Sequence, residues 1–177
     1  MSAENLNQEQ KSPGINFNVH NIFVKDISFE APNTPQVFKS DWIPKMDFDV
    51  EMSRNKLEEG MYEVILGISV KVNILPNKEA AQDKTISGET AFIIEIKQAG
   101  VFRLDGAISS EQIDYVLATA APNILFPYAR EAVTNLVLKG GFPQLVLPPI
   151  NFESMYQQHL AQQQAAAAEN KEETLIQ

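Results

Sequence analysis

The sequence contains no cysteine among its 177 residues. Without a thiol there is no disulfide framework, no cysteine zinc site, no iron–sulfur cluster and no thiolate nucleophile. Histidine is nearly as scarce: His20 and His159 stand alone, without companions at metal-ligand spacing. Positive charge is the minority sign, with 14 Lys plus Arg against 23 Asp plus Glu and a net charge of −9. Such a surface repels nucleic acid and anionic lipid, whose recognition needs Lys and Arg. No stretch approaches the ~18 consecutive apolar residues of a membrane span. Residues 1–13 lack both the basic start and the apolar run of a secretory signal. There is no Gly-x-Ser-x-Gly elbow, Walker-type phosphate loop or Gly-x-Gly-x-x-Gly fingerprint. The expectation is a soluble cytoplasmic protein with no catalytic residues, metal or cofactor, that neither binds nucleic acid nor inserts into membranes.

What is present is a chain of one-domain length whose 44% apolar content suits a globular core. Residues 1–14 are polar, end in Ser12-Pro13-Gly14 and predict a flexible arm. Ile15, Phe17 and Val19 then alternate with polar residues, as in a half-buried strand. The apolar phase moves to Ile22 and Val24 and returns at Ile27 and Phe29, so a bulge or bend is expected between Val19 and Ile27. A second alternating stretch starts at Asp41, with Trp42, Met46, Phe48 and Val50 opposite Asp47, Asp49 and Glu51. A polar break at 53–60 ends it. A third strand carries Tyr62 to Val72, and a fourth covers residues 90–97. Short connections predict an antiparallel sheet, although the 75–89 loop is long.

The period then becomes helical. Ser109 with Gln112 makes a capping-box pattern, and Ile113, Val116, Leu117 and Ala120 share a face up to Pro122, where the helix is expected to stop. A second helix runs to Gly140-Gly141, and residues 143–149 form a proline-rich link. Asn151 can cap a third helix, with Phe152, Met155, Tyr156, His159 and Leu160 on one face. Residues 161–177 are Gln/Ala-rich and acidic, and predict a flexible tail beyond a domain at 15–160. The fold class is α+β, a four-stranded antiparallel sheet followed by two to three helices.

Two features stand out as candidate interaction surfaces. Asp26 and Glu30 share one exposed strip of the first strand, a place for a basic protein surface. Large apolar residues also gather near turns and links, where core packing and partner binding are both available to them. The paired acids at 41–51 could be mistaken for glycosidase carboxylates, but strand alternation accounts for them as a solvated face.

The segment Pro122-Asn123-Ile124-Leu125-Phe126-Pro127-Tyr128-Ala129-Arg130-Glu131 resembles the bacterial protein-export chaperone family SecB. Lys25-Asp26-Ile27-Ser28-Phe29-Glu30-Ala31-Pro32-Asn33 upstream, and Gly141-Phe142-Pro143-Gln144-Leu145 with Pro149-Ile150-Asn151-Phe152 downstream, extend the resemblance over about residues 22–160. It implies an ATP-independent chaperone that keeps precursor proteins unfolded and delivers them to the motor ATPase SecA. It further implies a homotetramer, a dimer of dimers with sheets outside and helices inside. The positions matching the family's SecA-docking patch are Asp26, Glu30, Ile93 and Glu95. Apolar grooves suit a holder of many different chains, and the candidate client-binding residues are Trp42, Met46, Phe48, Val50, Phe152, Met155 and Tyr156. The 75–89 loop is longer than in the family, and the tail departs from its usual composition, which leaves a second contact with the motor open. A small apolar-ligand carrier and a partner-specific chaperone, such as one for a toxin–antitoxin pair, are the alternatives.

Overall fold

The structure, a computed structural model, describes residues 16–82 and 86–175. The expected N-terminal arm at 1–14 and part of the 75–89 loop lie outside the described residues. Four antiparallel strands form one sheet: β1 (Asn16–Glu30), β2 (Pro44–Glu58), β3 (Met61–Ile74) and β4 (Glu89–Asp105), in the order β1-β4-β3-β2. Alternation gives the sheet two unlike faces. On the inner face Val64, Leu66, Ile68, Val70, Phe92, Ile94, Ile96 and Phe102 are at most 1% exposed. The phase change in β1 is made by two register shifts against β4, at Val19/Asn21 and Val24/Asp26. They let Ile22, Ile27 and Phe29 all lie on the inner face, opposite Gly100, Ile96 and Ile94.

Three boundaries differ from the sequence reading. β2 begins at Pro44, so Trp42 precedes the strand instead of belonging to it. It then continues through the polar stretch to Glu58, because Ser53 and Asn55 pair with Ile65 and Glu63 across a tight turn. Ladder hydrogen bonds, with no need of burial, hold a strand there. The turn ends at Gly60, whose φ of +70° suits a residue without Cβ. β4 runs on to Asp105, past Ala99-Gly100, where the alternation weakens. A Cβ on Gly100 would lie 2.9 Å from Leu125 Cδ2, so the missing side chain lets a helix close on the sheet.

That helix is α1 (Ser110–Lys139), and it does not stop at Pro122. Both Pro122 and Pro127 sit inside it. Each removes one N–H from the ladder at a cost of about 3 kcal/mol. Burial outweighs that cost: Leu117, Ala121, Leu125, Ala129, Val133 and Val137 form an unbroken i, i+4 row against the sheet. The Ser109–Gln112 capping box opens the helix. The first two helices of the sequence reading are thus one, and the sheet is followed by two helices, within the two to three expected. Residues 143–151 form a link without helix or strand, with Leu147 buried and Leu145 O accepting from Thr134 Oγ1 at 3.0 Å. Asn151 Oδ1 accepts from Ser154 N at 2.9 Å and starts α2 (Phe152–Leu175), which reaches well past its last apolar residue on the shared face, Leu160. α1 lies over β4 and β3, and α2 lies on α1. The inner faces of the edge strands β1 and β2 are thus only partly covered.

Candidate functional site

The outer face of the sheet consists of cross-strand rows. Glu30, Ile93, Lys71 and Asp47 make one; Ser28, Glu95, Ser69 and Asp49 the next; Asp26, Lys97, Gly67 and Glu51 the third. Asp26, Glu30, Ile93 and Glu95 therefore lie on neighbouring strands within three successive rows, with both β1 acids and Glu95 exposed and Ile93 half-buried beside Glu30. Because Gly67 has no side chain, the third row sinks into an open depression of about 340 Å³, flanked by Lys25, Asp26, Glu51 and Lys97. Lys25 Nζ reaches Glu63 Oε1 at 2.7 Å, and Asn55 Nδ2 donates to Glu63 Oε2 at 3.0 Å. Those two donors hold the Glu63 carboxyl below its usual pKa, against the smaller upward push of burial.

On the inner side an apolar groove of about 220 Å³ opens between β2, α1 and α2. Val50 and Met52 line it from the strand, Ala118 from α1, and Phe152, Met155, Tyr156 and His159 from α2. Phe152 is itself 2% exposed and packs edge-on against Phe126 with centroids 5.9 Å apart, so it both docks α2 and floors the groove. Met52 and Met155 are each 40% exposed. The rim is polar: Arg54 Nη1 bridges to Asp114 Oδ1 at 3.1 Å, and Tyr115 Oη donates to Glu153 Oε1 at 2.9 Å. That bond to a carboxylate raises the Tyr115 pKa above its usual value.

A separate aromatic cluster lies at the opposite end of β2. Phe142 is its centre, with Phe92 at 4.9 Å, Phe38 at 5.0 Å and Trp42 at 5.9 Å between ring centroids. Phe38 and Trp42 keep exposed faces there. The seven candidate client residues thus fall in three places. Val50, Phe152, Met155 and Tyr156 share the groove, Trp42 belongs to the aromatic end, and Met46 and Phe48 are half-buried on the strand between them. The sequence reading missed Met52, although it continues the series 46, 48, 50. It also left out His159, although that residue shares a helix face with Phe152, Met155 and Tyr156, and it missed Arg54 and Ala118, which the crossing of β2 and α1 brings to the groove.

Among the described residues no group of three or more His, Asp or Glu is placed to hold a metal ion. No described helix is long and apolar enough to cross a membrane.

Known proteins resemble this chain in sequence and in fold. The sequence matches the family described as preprotein translocase subunit SecB over residues 7–163. It is 42% identical over 173 residues to the protein-export protein SecB of Legionella pneumophila strain Corby, covering 98% of both chains. The protein of strain Paris gives the same figures. Among solved structures, the fold is like that of a SecB-like chaperone of Mycobacterium tuberculosis in complex with a ChAD peptide from an antitoxin. That likeness has a TM-score of 0.57 and 16% identity over 76% of this chain and 91% of the other, and is one of fold.

Proposed function

This chain belongs to the SecB family, and from that premise we propose that it is an ATP-independent chaperone of protein export that keeps cytoplasmic precursors unfolded and passes them to SecA. The observation that carries the reading is the groove between β2, α1 and α2, apolar within, open to solvent and continued along β2 to a second aromatic site. Unfolded chains present short apolar segments of varied shape. Methionine and ring faces adapt to such variety better than one rigid pocket does. No bond is made or broken in such a role, and the chain needs neither catalytic residue nor cofactor for it.

Delivery is assigned to the outer face, where Ile93 lies beside Glu30, with Glu95 in the next row and Asp26 in the row after it. An apolar residue at the end of a strip of carboxylates suits a basic partner surface with one apolar anchor. Clients on the inner side and the motor on the outer side then do not compete for the same residues. The homotetramer is supported by β1. Its outer edge has no neighbour among the described residues, its inner-face Val24 and Ile27 are exposed, and Val24 lies beside the exposed Tyr128 of α1. A second copy pairing along β1 covers both, and packing two such dimers helix to helix places the sheets outside. The working unit is the domain of residues 15–160; α2 continues beyond it to Leu175, where the sequence predicts a flexible tail.

Light scattering of the purified chain, alone and with a denatured precursor, tests the reading together with refolding assays without ATP. A mass of four chains that rises by one client, and slowed refolding, are expected. Trp42→Ser with Phe48→Ser is expected to weaken client retention, and unchanged retention in a folded tetramer refutes a client role for the aromatic end and the strand that leads to it. Asp26→Asn with Glu30→Gln is expected to weaken SecA binding, less so as salt rises, while sparing clients. The fold shared with the antitoxin-peptide complex favours one second reading, a chaperone devoted to a single partner. Retention of several unrelated precursors separates the two. A small-ligand carrier is disfavoured by a groove smaller than the usual 300–1,000 Å³ ligand pocket.

A further inference from the structure

The outer-face rows set up a charge pairing and then leave it incomplete. In the first row Lys71 of β3 stands opposite Asp47 of β2. In the third row the β2 acid is Glu51, and the β3 position opposite it is Gly67, which carries no charge. The other charges around the depression are matched. Asp26 of β1 faces Lys97 of β4, and Lys25 is tied to Glu63 at 2.7 Å. Glu51 is left over, exposed and in no ion pair among the described residues.

Strand geometry does not require a glycine at position 67. Its φ is not in the left-handed region, unlike that of Gly60. A Cβ built on it meets nothing nearer than Glu51 Cβ at 3.6 Å, an ordinary contact. A side chain would fit there, and its absence leaves the open depression of about 340 Å³. Half-buried Ile65, two residues back on the same face, gives that space an apolar wall.

We propose that the depression over Gly67 is a socket for one arginine side chain of SecA, which supplies opposite Glu51 the cation that Lys71 supplies opposite Asp47, so that Glu51 and Gly67 extend the docking footprint from β1 and β4 onto β3 and β2. The inference rests on the reading of the outer face as the site of delivery. Arginine suits the socket better than lysine. Its guanidinium is planar and weakly hydrated and gives two parallel N–H bonds to one carboxylate, while its aliphatic stem lies along an apolar wall. Asp49 and Glu95 in the adjoining row add to the negative potential. Lys97 on the far rim turns the guanidinium toward β2. An anionic occupant has only Lys97 to meet, because Lys25 is already held by Glu63.

The test is titration calorimetry of purified SecA with the full chain and three variants. Glu51→Gln removes the acceptor. Gly67→Lys fills the depression and sets a lysine opposite Glu51. Asp49→Asn makes a like change of charge one row away, outside the depression. The first two are expected to weaken SecA binding on the order of tenfold, and the third by about twofold at most, because it alters only the general field. Glu51→Gln and Gly67→Lys together are expected to cost no more than either alone, since both remove one contact. Among SecA variants with a single arginine changed to alanine, one is expected to bind the parent chain about tenfold more weakly yet match unaltered SecA on Gly67→Lys. Lysine at that SecA position is expected to restore only part of the affinity. Equal losses from Glu51→Gln and Asp49→Asn, or the lack of any such arginine, overturn the proposal. So does a fall in precursor retention or in assembly mass that matches the loss of SecA binding, which would give the depression to a client or to a second copy. SecA binding that depends on Asp26 and Glu30 but not on Glu51 removes this inference and leaves delivery from the outer face standing. A parent chain that does not bind SecA removes both.

Discussion

Glu63 is the one carboxylate that the fold buries among the described residues, and it does so beside the acidic outer face. Lys25 and Asn55 satisfy its two oxygens, tying β1, β2 and β3 together beside the depression that Lys25 flanks. Its folded pKa is lowered, so its contribution to stability is complete above the ordinary value of 4.5 and is lost as pH falls through the folded value. Glu63→Gln is expected to cost about 1 kcal/mol at neutral pH, Lys25 being half-exposed and the pair partly screened. The loss is expected to shrink in denaturant titrations run below that range, and an equal loss at all pH values contradicts the linkage. Individual residues of this kind are the least legible part of the sequence. Asp26 and Glu30 could be placed on one face by parity alone, because a strand puts i and i+2 together. The meeting of Lys25 with Glu63 needs the order β1-β4-β3-β2 and a bulge at Val24/Asp26, neither of which periodicity supplies.

The elements follow the sequence where one local rule dominates and depart from it where two compete. The capping box at Ser109–Gln112 and the stop at Gly140-Gly141 are where their residues place them. Pro122 reads as a terminator because the local cost is real, yet the buried row from Leu117 to Val137 spans it, and that row exists only once a sheet lies beneath it. Residues 53–58 of β2 illustrate the converse: they have no apolar face to announce a strand, but their backbone pairs with β3. α2 is the element held most lightly, its anchors being Phe152 on Phe126, Tyr156 beside Tyr115, and the Tyr115–Glu153 bond. Phe152→Ala removes the largest of these, a change worth about 3–5 kcal/mol in a rigid core. The expected result is local. Amide exchange in α2 is expected to quicken and client affinity to fall, while β3 and β4 keep their protection; uniform loss of protection would show that α2 is integral to the core.

At the scale of the molecule, one sheet edge and its flanking helix expose apolar surface that a single chain does not cover. Ile27→Asp, on that inner edge, is expected to lower the mass found by light scattering from four chains toward one or two, with the far-ultraviolet circular dichroism of the fold retained. An unchanged mass would move the assembly interface away from β1. The strand order also has a consequence in time. β2 with β3, and β3 with β4, are neighbours along the chain, and their pairing closes short loops. β1 must wait for β4, which begins nearly sixty residues after β1 ends, and long closures are slow. The first strand to be synthesised is therefore the last to find its place. Pulse-labelled amide exchange during refolding is expected to show protection in β1 after that in β2, β3 and β4. Simultaneous protection of all four strands would argue against this order. If β1 is also the strand through which copies recognise one another, a chain cannot begin to assemble until its own fold is finished, and half-made copies are kept from one another by sequence order alone.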